Sequence, residues 1–194
     1  MIVHKTDVIV IGGGAAGLFC AIEAGKRSRK TVVLEHAGQI GKKIAISGGG
    51  RCNFTNLNTA ADNFFSDNPH FCKSALARYT PADFVSLVER HGIPYHEKKL
   101  GQLFCDDSSR RIIEMLLLEA SDAGVDIQCG SLVRSVARPE PNDLAGRSAF
   151  EVKTDTEVLV SQSLVIATGG LSIPPLGATD LGYRLARQFN LSIV

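Results

Sequence analysis

The 194-residue sequence has no surplus of charge: 21 Lys and Arg stand against 20 Asp and Glu, for a net charge of +1. A balanced surface gives no electrostatic case for nucleic acid or an anionic membrane as partner. No apolar run reaches the ~20 residues that a membrane-spanning helix needs. The opening stretch, MIVHKTDVIVIGGG, is apolar over too short a span for a secretory leader and lacks a small-residue cleavage site. The expectation is a cytoplasmic protein that takes a small-molecule substrate and has neither nucleic acid nor membrane as a partner. No C-x-x-C pair occurs among Cys20, Cys52, Cys72, Cys105 and Cys129. The count is odd, so neither a disulfide framework nor a zinc site is indicated. His91 and His96 are the nearest pair of histidines and have no third ligand at a familiar spacing. No metal site is expected, and structural or surface roles are read for these side chains.

With 44% hydrophobic and 21% charged residues, the chain has the balance of a globular protein long enough to bury a core. Residues 7–11 (DVIVI) form a β-branched run suited to a strand buried on both faces. Glycines follow at once, then helix formers over 15–26, then a second buried strand over 31–35 (TVVLE). Together they make a βαβ unit. Residues 55–65 look like loop. Helical spacing predicts helices over 81–91, over 108–123 (capped by Ser108 or Ser109, with Ile112, Ile113, Leu116, Leu117 and Ala120 as its apolar stripe), and over 180–189. Strands are predicted over 125–129, 132–137, 149–154, 157–160 and 164–167, with a tight turn at Asp155-Thr156 and a turn-rich surface loop over 139–148. This order implies an α/β fold: a Rossmann-like dinucleotide-binding domain with a mostly parallel sheet, helices on both faces and a small antiparallel β-meander crossing it.

Gly12-Gly-Gly14-Ala15-Ala16-Gly17 matches G-x-G-x-x-G. The pattern gains weight from its setting, directly after a buried strand and opening a helix, with an acid, Glu35, closing the second strand. Gly12 permits the tight turn. Gly14 lets a pyrophosphate reach the backbone, and Gly17 lets helix and strand pack closely. The N–H groups and positive end of the helix face the phosphates. The Glu35 carboxylate suits the two hydroxyls of an adenosine ribose and would repel a 2′-phosphate, so FAD or NAD is preferred over NADP at this site.

Four segments decide between them: VIVIGGGAAGL (8–18), GKKIAISGGGRCNFTN (41–56), GQLF (101–104) and LVIATGGLSIPPLGATDLGYRLA (164–186). They resemble the two-dinucleotide-binding-domain flavoproteins, and within them the BaiN/RdsA-type NAD(P)/FAD-dependent oxidoreductases, over essentially the whole chain. The resemblance implies FAD as cofactor and hydride transfer between flavin and a substrate or NAD(P)H. It implies that Ser47, Gly48, Gly49, Gly50, Arg51, Cys52 and Asn53 run along the ribityl chain and pyrophosphate, with Lys43 and Arg51 supplying positive charge. Ala167, Thr168, Gly169 and Gly170 would make a second FAD contact, and Val133 would lie by the adenine. Ala15, Ala16, His36 and Lys42 complete the implied cofactor set. In the family's pattern an arginine and a proline often accompany the stretch matching 101–104, where Gln102 and Cys105 stand here. Cys52 has no cysteine partner before Cys72 and is read as a packing or cofactor-lining residue. No catalytic acid or base is named.

The sequence reaches Val194 just as an apolar stretch (LSIV) begins. The resembled proteins continue with a substrate or cap domain, so the expectation is a single FAD-binding domain over 1–194, truncated before that domain and with reduced or no activity. Self-association or a partner would then cover the face left open. Two further readings stay open: an NAD-binding module without flavin, in which residues 46–56 would have no task, and a non-catalytic nucleotide-binding remnant.

Overall fold

A computed structural model describes residues 3–139 and 150–193. The predicted loop over 139–148 and the start of the strand at Ala149 lie, apart from Pro139, outside the described residues. The chain divides into two compact units, residues 1–42 with 116–193, and residues 43–115.

The first unit holds a six-stranded sheet. Its elements are β1 (Val3–Ile11), α1 (Ala15–Gly25) and β2 (Thr31–Glu35). After the second unit come β6 (Asp126–Cys129), β7 (Ser135–Ala137), β8 (Phe150–Lys153), β9 (Val158–Ile166) and α6 (Leu181–Gln188). The strand order is β6-β2-β1-β9-β8-β7. The first four strands are mutually parallel, while β8 and β7 add antiparallel at the β9 side. Strand alternation sorts the core. Ile9, Ile11, Val32 and Leu34 point to one face, where they join Val133, Val152, Leu159 and Leu185 of α6. Val10 and Val33 point to the other and meet Ala21 of α1. Helices therefore cover both faces, as the continuous apolar runs of β1 and β2 require.

One prediction is corrected here. The strands read over 157–160 and 164–167 are a single nine-residue strand, β9. Ser161-Gln162-Ser163 interrupts the apolar run in the sequence. In the fold these residues sit where β9 stops pairing with β8 (Phe150 opposite Ser161) while continuing along β1. Ser161 is buried, and its hydroxyl donates to the Ser163 carbonyl at 2.8 Å. The meander thus shares β9 with the parallel sheet and extends that sheet.

The second unit contains α2 (Lys42–Ile46, whose first residue belongs to the first unit), β3 (Asn53–Asn56), α3 (Lys73–Arg78), α4 (Pro81–Arg90), β4 (Tyr95–Glu97) and β5 (Gln102–Cys105). A three-stranded antiparallel sheet runs β3-β5-β4. Part of the expected loop over 55–65 is strand (β3) and part a 3₁₀ turn at Ala61–Asn63. These strands are too short to show a period in the sequence. Helix α4 starts with a reciprocal cap: the Asp83 amide donates to Thr80 Oγ1 (3.2 Å) and the Thr80 amide to Asp83 Oδ2 (2.7 Å). Helix α5 (Arg110–Asp122) carries the chain from the second unit back to the first. Its buried stripe is Ile112, Met115, Leu116 and Ala120, whereas Leu117, expected in the stripe, is 39% exposed.

Candidate nucleotide-binding site

In the first unit the expected residues gather at the C-terminal ends of β1, β2 and β9. The strands β1 and β9 run in register to Ile11 and Ile166, and the Ala167 amide donates to the Ile11 carbonyl at 2.8 Å. The chain turns sharply at Gly12, whose φ is +116°. A Cβ there would also collide with the Ala167 carbonyl and lie 3.0 Å from the Thr168 nitrogen. Only glycine satisfies both conditions. A Cβ on Gly17 would overlap the Gly12 carbonyl oxygen and approach the Ala167 side chain. Gly12, Gly17 and Ala167 are therefore one packed node. Gly14 differs. It precedes the first turn of α1 with no side-chain cap, and a Cβ placed on it meets nothing within 4 Å. Ala15 and Ala16 follow it, both exposed. The helix opening is a bare notch lined by backbone, the form an anion-binding helix N-terminus takes.

Glu35 is 8% exposed. Its Oε2 accepts from the Gly13 amide at 2.7 Å and its Oε1 from the Ala37 amide at 2.8 Å. His36 Nδ1 stands 3.0 Å from the same Oε1. Two backbone donors thus compensate the burial of this carboxylate, and a carboxylate so held retains lone pairs for further donors. Gly13 and Ala37 were not singled out by the sequence. Gly13 occupies a free position of the motif, yet a Cβ there would lie 2.8 Å from Ile40 Cγ2 and 3.1 Å from Glu35 Cβ. The run of three glycines was the available signal. Gly177, in the turn after Pro174–Leu176, presses on His36: a Cβ there would lie 2.8 Å from Nε2. Residues 130–133 run beside β2, with the Gly130 amide on the Ala37 carbonyl and the Ser131 amide on the Glu35 carbonyl, both 2.9 Å. Val133 is buried in the core with Leu34. Thr168, Gly169 and Gly170 continue β9 into an exposed or half-buried turn. Lys42 is half-buried at the start of α2.

In the second unit, Ser47–Gly50 form a 3₁₀ turn in which Gly48, Gly49 and Gly50 all have φ between +57° and +87°. Their carbonyls and those of their neighbours tie the loop down. Ser47 O accepts from the Cys52 amide (3.0 Å), Gly50 O from Ser109 (2.7 Å) and Arg51 O from Cys105 (2.9 Å). A Cβ on Gly48 would lie 2.7 Å from Phe104 Cε1, so this glycine lets the loop rest on the ring, while Gly49 and Gly50 face open space. Arg51 and Asn53 are exposed, and Lys43 is half-buried.

Cys52 is buried, and its strand neighbour carries Cys105, the residue after Phe104, which pairs with Asn53. Strand pairing closes a sequence gap of more than fifty residues to bring Cys105 beside Cys52. Burial pushes the Cys52 thiol up, and burial together with the Cys52 charge pushes Cys105 to about 11. Neither is a thiolate near neutrality, so neither is an activated nucleophile.

A glycine-lined helix opening and an acid at the end of the adjacent strand define a dinucleotide-binding α/β domain. Residues 6–194 match the family described as HI0933-like protein Rossmann domain, and the chain belongs to that family. It is 47% identical to the ribosomal RNA dihydrouridine synthase of Escherichia coli (strain K12), over 98% of this chain and 46% of that protein. It is also 47% identical to the protein of the same name from Haemophilus influenzae, over 97% and 46%. A 3-dehydro-bile acid delta(4,6)-reductase of Clostridium scindens is 28% identical over 92% of this chain and 42% of its own length. The chain thus spans about half the length of the relatives it matches. Among solved structures, glycine oxidase from Geobacillus kaustophilus aligns with a TM-score of 0.61 at 17% identity, over 98% of this chain and 60% of that one. That likeness speaks to the fold. Among the described residues no helix is long and apolar enough to cross a membrane, and no group of three or more His, Cys, Asp or Glu could hold a metal ion.

Proposed function

We propose that the chain is the FAD-binding part of a flavin-dependent reductase that saturates a carbon–carbon double bond conjugated to a carbonyl, with uridine in ribosomal RNA as the substrate. The observation that carries the cofactor assignment is the notch at Gly14, open at its Cβ position and flanked by the Gly12–Gly17–Ala167 node and the Glu35 carboxylate. On this reading Gly12, Gly14, Ala15, Ala16 and Gly17 take the pyrophosphate. Glu35 and His36 take the adenosine ribose, Val133 lies by the adenine, and Lys42 adds charge. Ala167–Gly170, Lys43 and Ser47–Asn53 are assigned to the same cofactor by the resemblance of their segments. Bound FAD would supply hydride, drawn from NAD(P)H.

The substrate assignment draws on the relatives' names. Making dihydrouridine saturates the C5=C6 bond of uridine, which is conjugated to the C4 carbonyl. The third relative, named a delta(4,6)-reductase, shares the chemistry of double-bond reduction. The expectation of no nucleic acid rested on net charge alone, and net charge does not exclude a local RNA contact.

The test has two stages. Titrating FAD into the chain should shift the flavin bands near 370 and 450 nm and quench flavin fluorescence, and NADP should not compete at equal concentration. The full-length FAD-loaded protein, given NAD(P)H and undermodified ribosomal RNA, should then form dihydrouridine measurable by nucleoside mass spectrometry. A chain that takes up no FAD would overturn the cofactor assignment. A flavoprotein that leaves uridine unchanged would overturn the substrate.

A further inference from the structure

Glu35 has fewer open positions than two ribose hydroxyls would need. A carboxylate offers about four places to donors, two on each oxygen. The Gly13 amide takes one on Oε2 at 2.7 Å, and the Ala37 amide takes one on Oε1 at 2.8 Å. The His36 imidazole stands against the second place on Oε1, with Nδ1 at 3.0 Å. One place is left, on Oε2, in a side chain that is 10% exposed.

The imidazole is hemmed in at its other end. A Cβ on Gly177 would lie 2.8 Å from Nε2 and 3.8 Å from both Cδ2 and Cε1, which puts it in line with the ring. The ring is thus held lengthwise between the carboxylate and the backbone of Gly177. That backbone is a firm stop. The Leu176 and Gly177 amides close the turn on the Ile173 and Pro174 carbonyls at 3.0 and 2.9 Å, and two prolines fix their own φ within it. Ile173 has φ +58°, a left-handed conformation that a β-branched residue keeps only where its surroundings enforce it. Gly177 itself has φ +87°. The turn follows β9, His36 follows β2, and β1 lies between those two strands. The chain leaving β9 therefore reaches past the end of β1, where the Gly12 turn begins, to meet the ring. All of these residues belong to the first unit.

We propose that Glu35 reads a single ribose hydroxyl, through Oε2, and that His36 and Gly177 are the positioning residues that close the second place on Oε1. This rests on the nucleotide assignment above. An acid with both oxygens open would accept from both hydroxyls. With the imidazole wedged on Oε1, one hydroxyl donates to Oε2 and the other gains nothing from the carboxylate. A site of this kind penalises the loss of one hydroxyl and tolerates the loss of the other. Gly177 lies far outside the glycine fingerprint, yet any side chain there would drive the ring or the turn from its place.

The test is calorimetric titration of the full-length protein, stripped of flavin, with ADP, 2′-deoxy-ADP and 3′-deoxy-ADP. It reads binding and needs no turnover. In the wild type one deoxy nucleotide should bind within about twofold of ADP and the other about tenfold or more weaker, the loss expected for a hydrogen bond to a charged group. Similar losses for both analogues, or for neither, overturn the proposal, because Glu35 would then read two hydroxyls or none. This comparison needs no variant. In His36→Ala the second place opens, and removal of either hydroxyl should weaken binding by about threefold or more. Gly177→Ala should move toward the same pattern. Wild-type discrimination retained in both variants overturns the role given to His36 and Gly177. FAD titration keeps the two readings apart. A protein that takes up FAD but reads both hydroxyls, or that binds FAD without competition from ADP, loses this proposal and keeps its cofactor. A protein that binds neither FAD nor ADP loses both.

Discussion

Two glycines of the same motif serve different ends. Gly17 is fixed by a collision with the Gly12 carbonyl, Gly14 by nothing the protein itself supplies. Gly14→Ala should therefore leave circular dichroism and melting temperature unchanged and weaken FAD binding by tenfold or more, read by fluorescence titration. Gly17→Ala should unfold readily, because backbone must move to admit the methyl group; overpacking of this kind costs about 1–3 kcal/mol or more. Equal effects of the two would show that the notch is not the phosphate site. Glu35→Gln puts an amide NH₂ against one of two buried N–H donors, Gly13 or Ala37. An unsatisfied buried donor costs about 1–3 kcal/mol, so urea denaturation should reach its midpoint earlier even without cofactor. A midpoint unchanged in the apo protein would mean that Glu35 serves the ligand alone. The motif singles out Gly12, Gly14 and Gly17 as candidates for a phosphate, but gives no sign that the Glu35 carboxylate accepts from Gly13, the motif's own second glycine.

At the scale of elements, what could be read depended on how local the cause is. The unit β1-α1-β2 was legible because apolar strands and glycines punctuate it, and β2 matches to the residue; β1 was read from Asp7 although it starts at Val3, since its first residues are exposed and interrupt the apolar run with His4, Lys5 and Thr6. Strand β9 was split in two by Ser161 and Ser163; the Ser161 hydroxyl is satisfied inside the strand by the Ser163 carbonyl, and pairing with β1 runs on past both serines. The hairpin β4-β5 and its His96–Asp106 pair stayed hidden because three- and four-residue strands leave no periodic trace and the two residues meet only across the turn. Helix α4 was expected, and its cap has a pH consequence. The Thr80 hydroxyl and amide hold the Asp83 carboxyl below its ordinary range. A depressed carboxyl stabilises the fold above its unfolded value and loses that contribution as pH falls through its folded one. The wild type should accordingly lose stability below about pH 4 more steeply than Asp83→Asn, compared in urea melts across pH 2–6. Identical acid limbs would remove the cap from the list of causes. Thr80→Ala should cost about 1 kcal/mol at neutral pH.

For the whole molecule, the fold class was open to sequence because one fingerprint between two apolar strands and a series of short apolar runs imply a mostly parallel α/β sheet. The division into units 1–42 with 116–193 and 43–115 was not, since residues 43–115 contain no run long enough to announce a second sheet. A ligand that binds only the folded state stabilises it by mass action, about 2.7 kcal/mol at one hundred times its Kd. FAD should therefore raise the melting temperature in a concentration-dependent way in the wild type and fail to do so in Gly14→Ala. The core of the sheet sets the baseline: Leu34→Ala, at a position 1% exposed, should cost about 3 kcal/mol with or without FAD. The pairing of β2 with β6 has an experimental use as well. It sets Cys129, an exposed thiol, directly opposite Glu35. Partial burial and the Glu35 charge raise that thiol's pKa, so alkylation calls for mildly alkaline buffer. With the half-buried Cys20 and Cys72 replaced by serine, and Cys52 and Cys105 shielded in the interior, a solvatochromic dye on Cys129 becomes an optical gauge of cofactor occupancy, on the very partner of the acid that would greet the ribose.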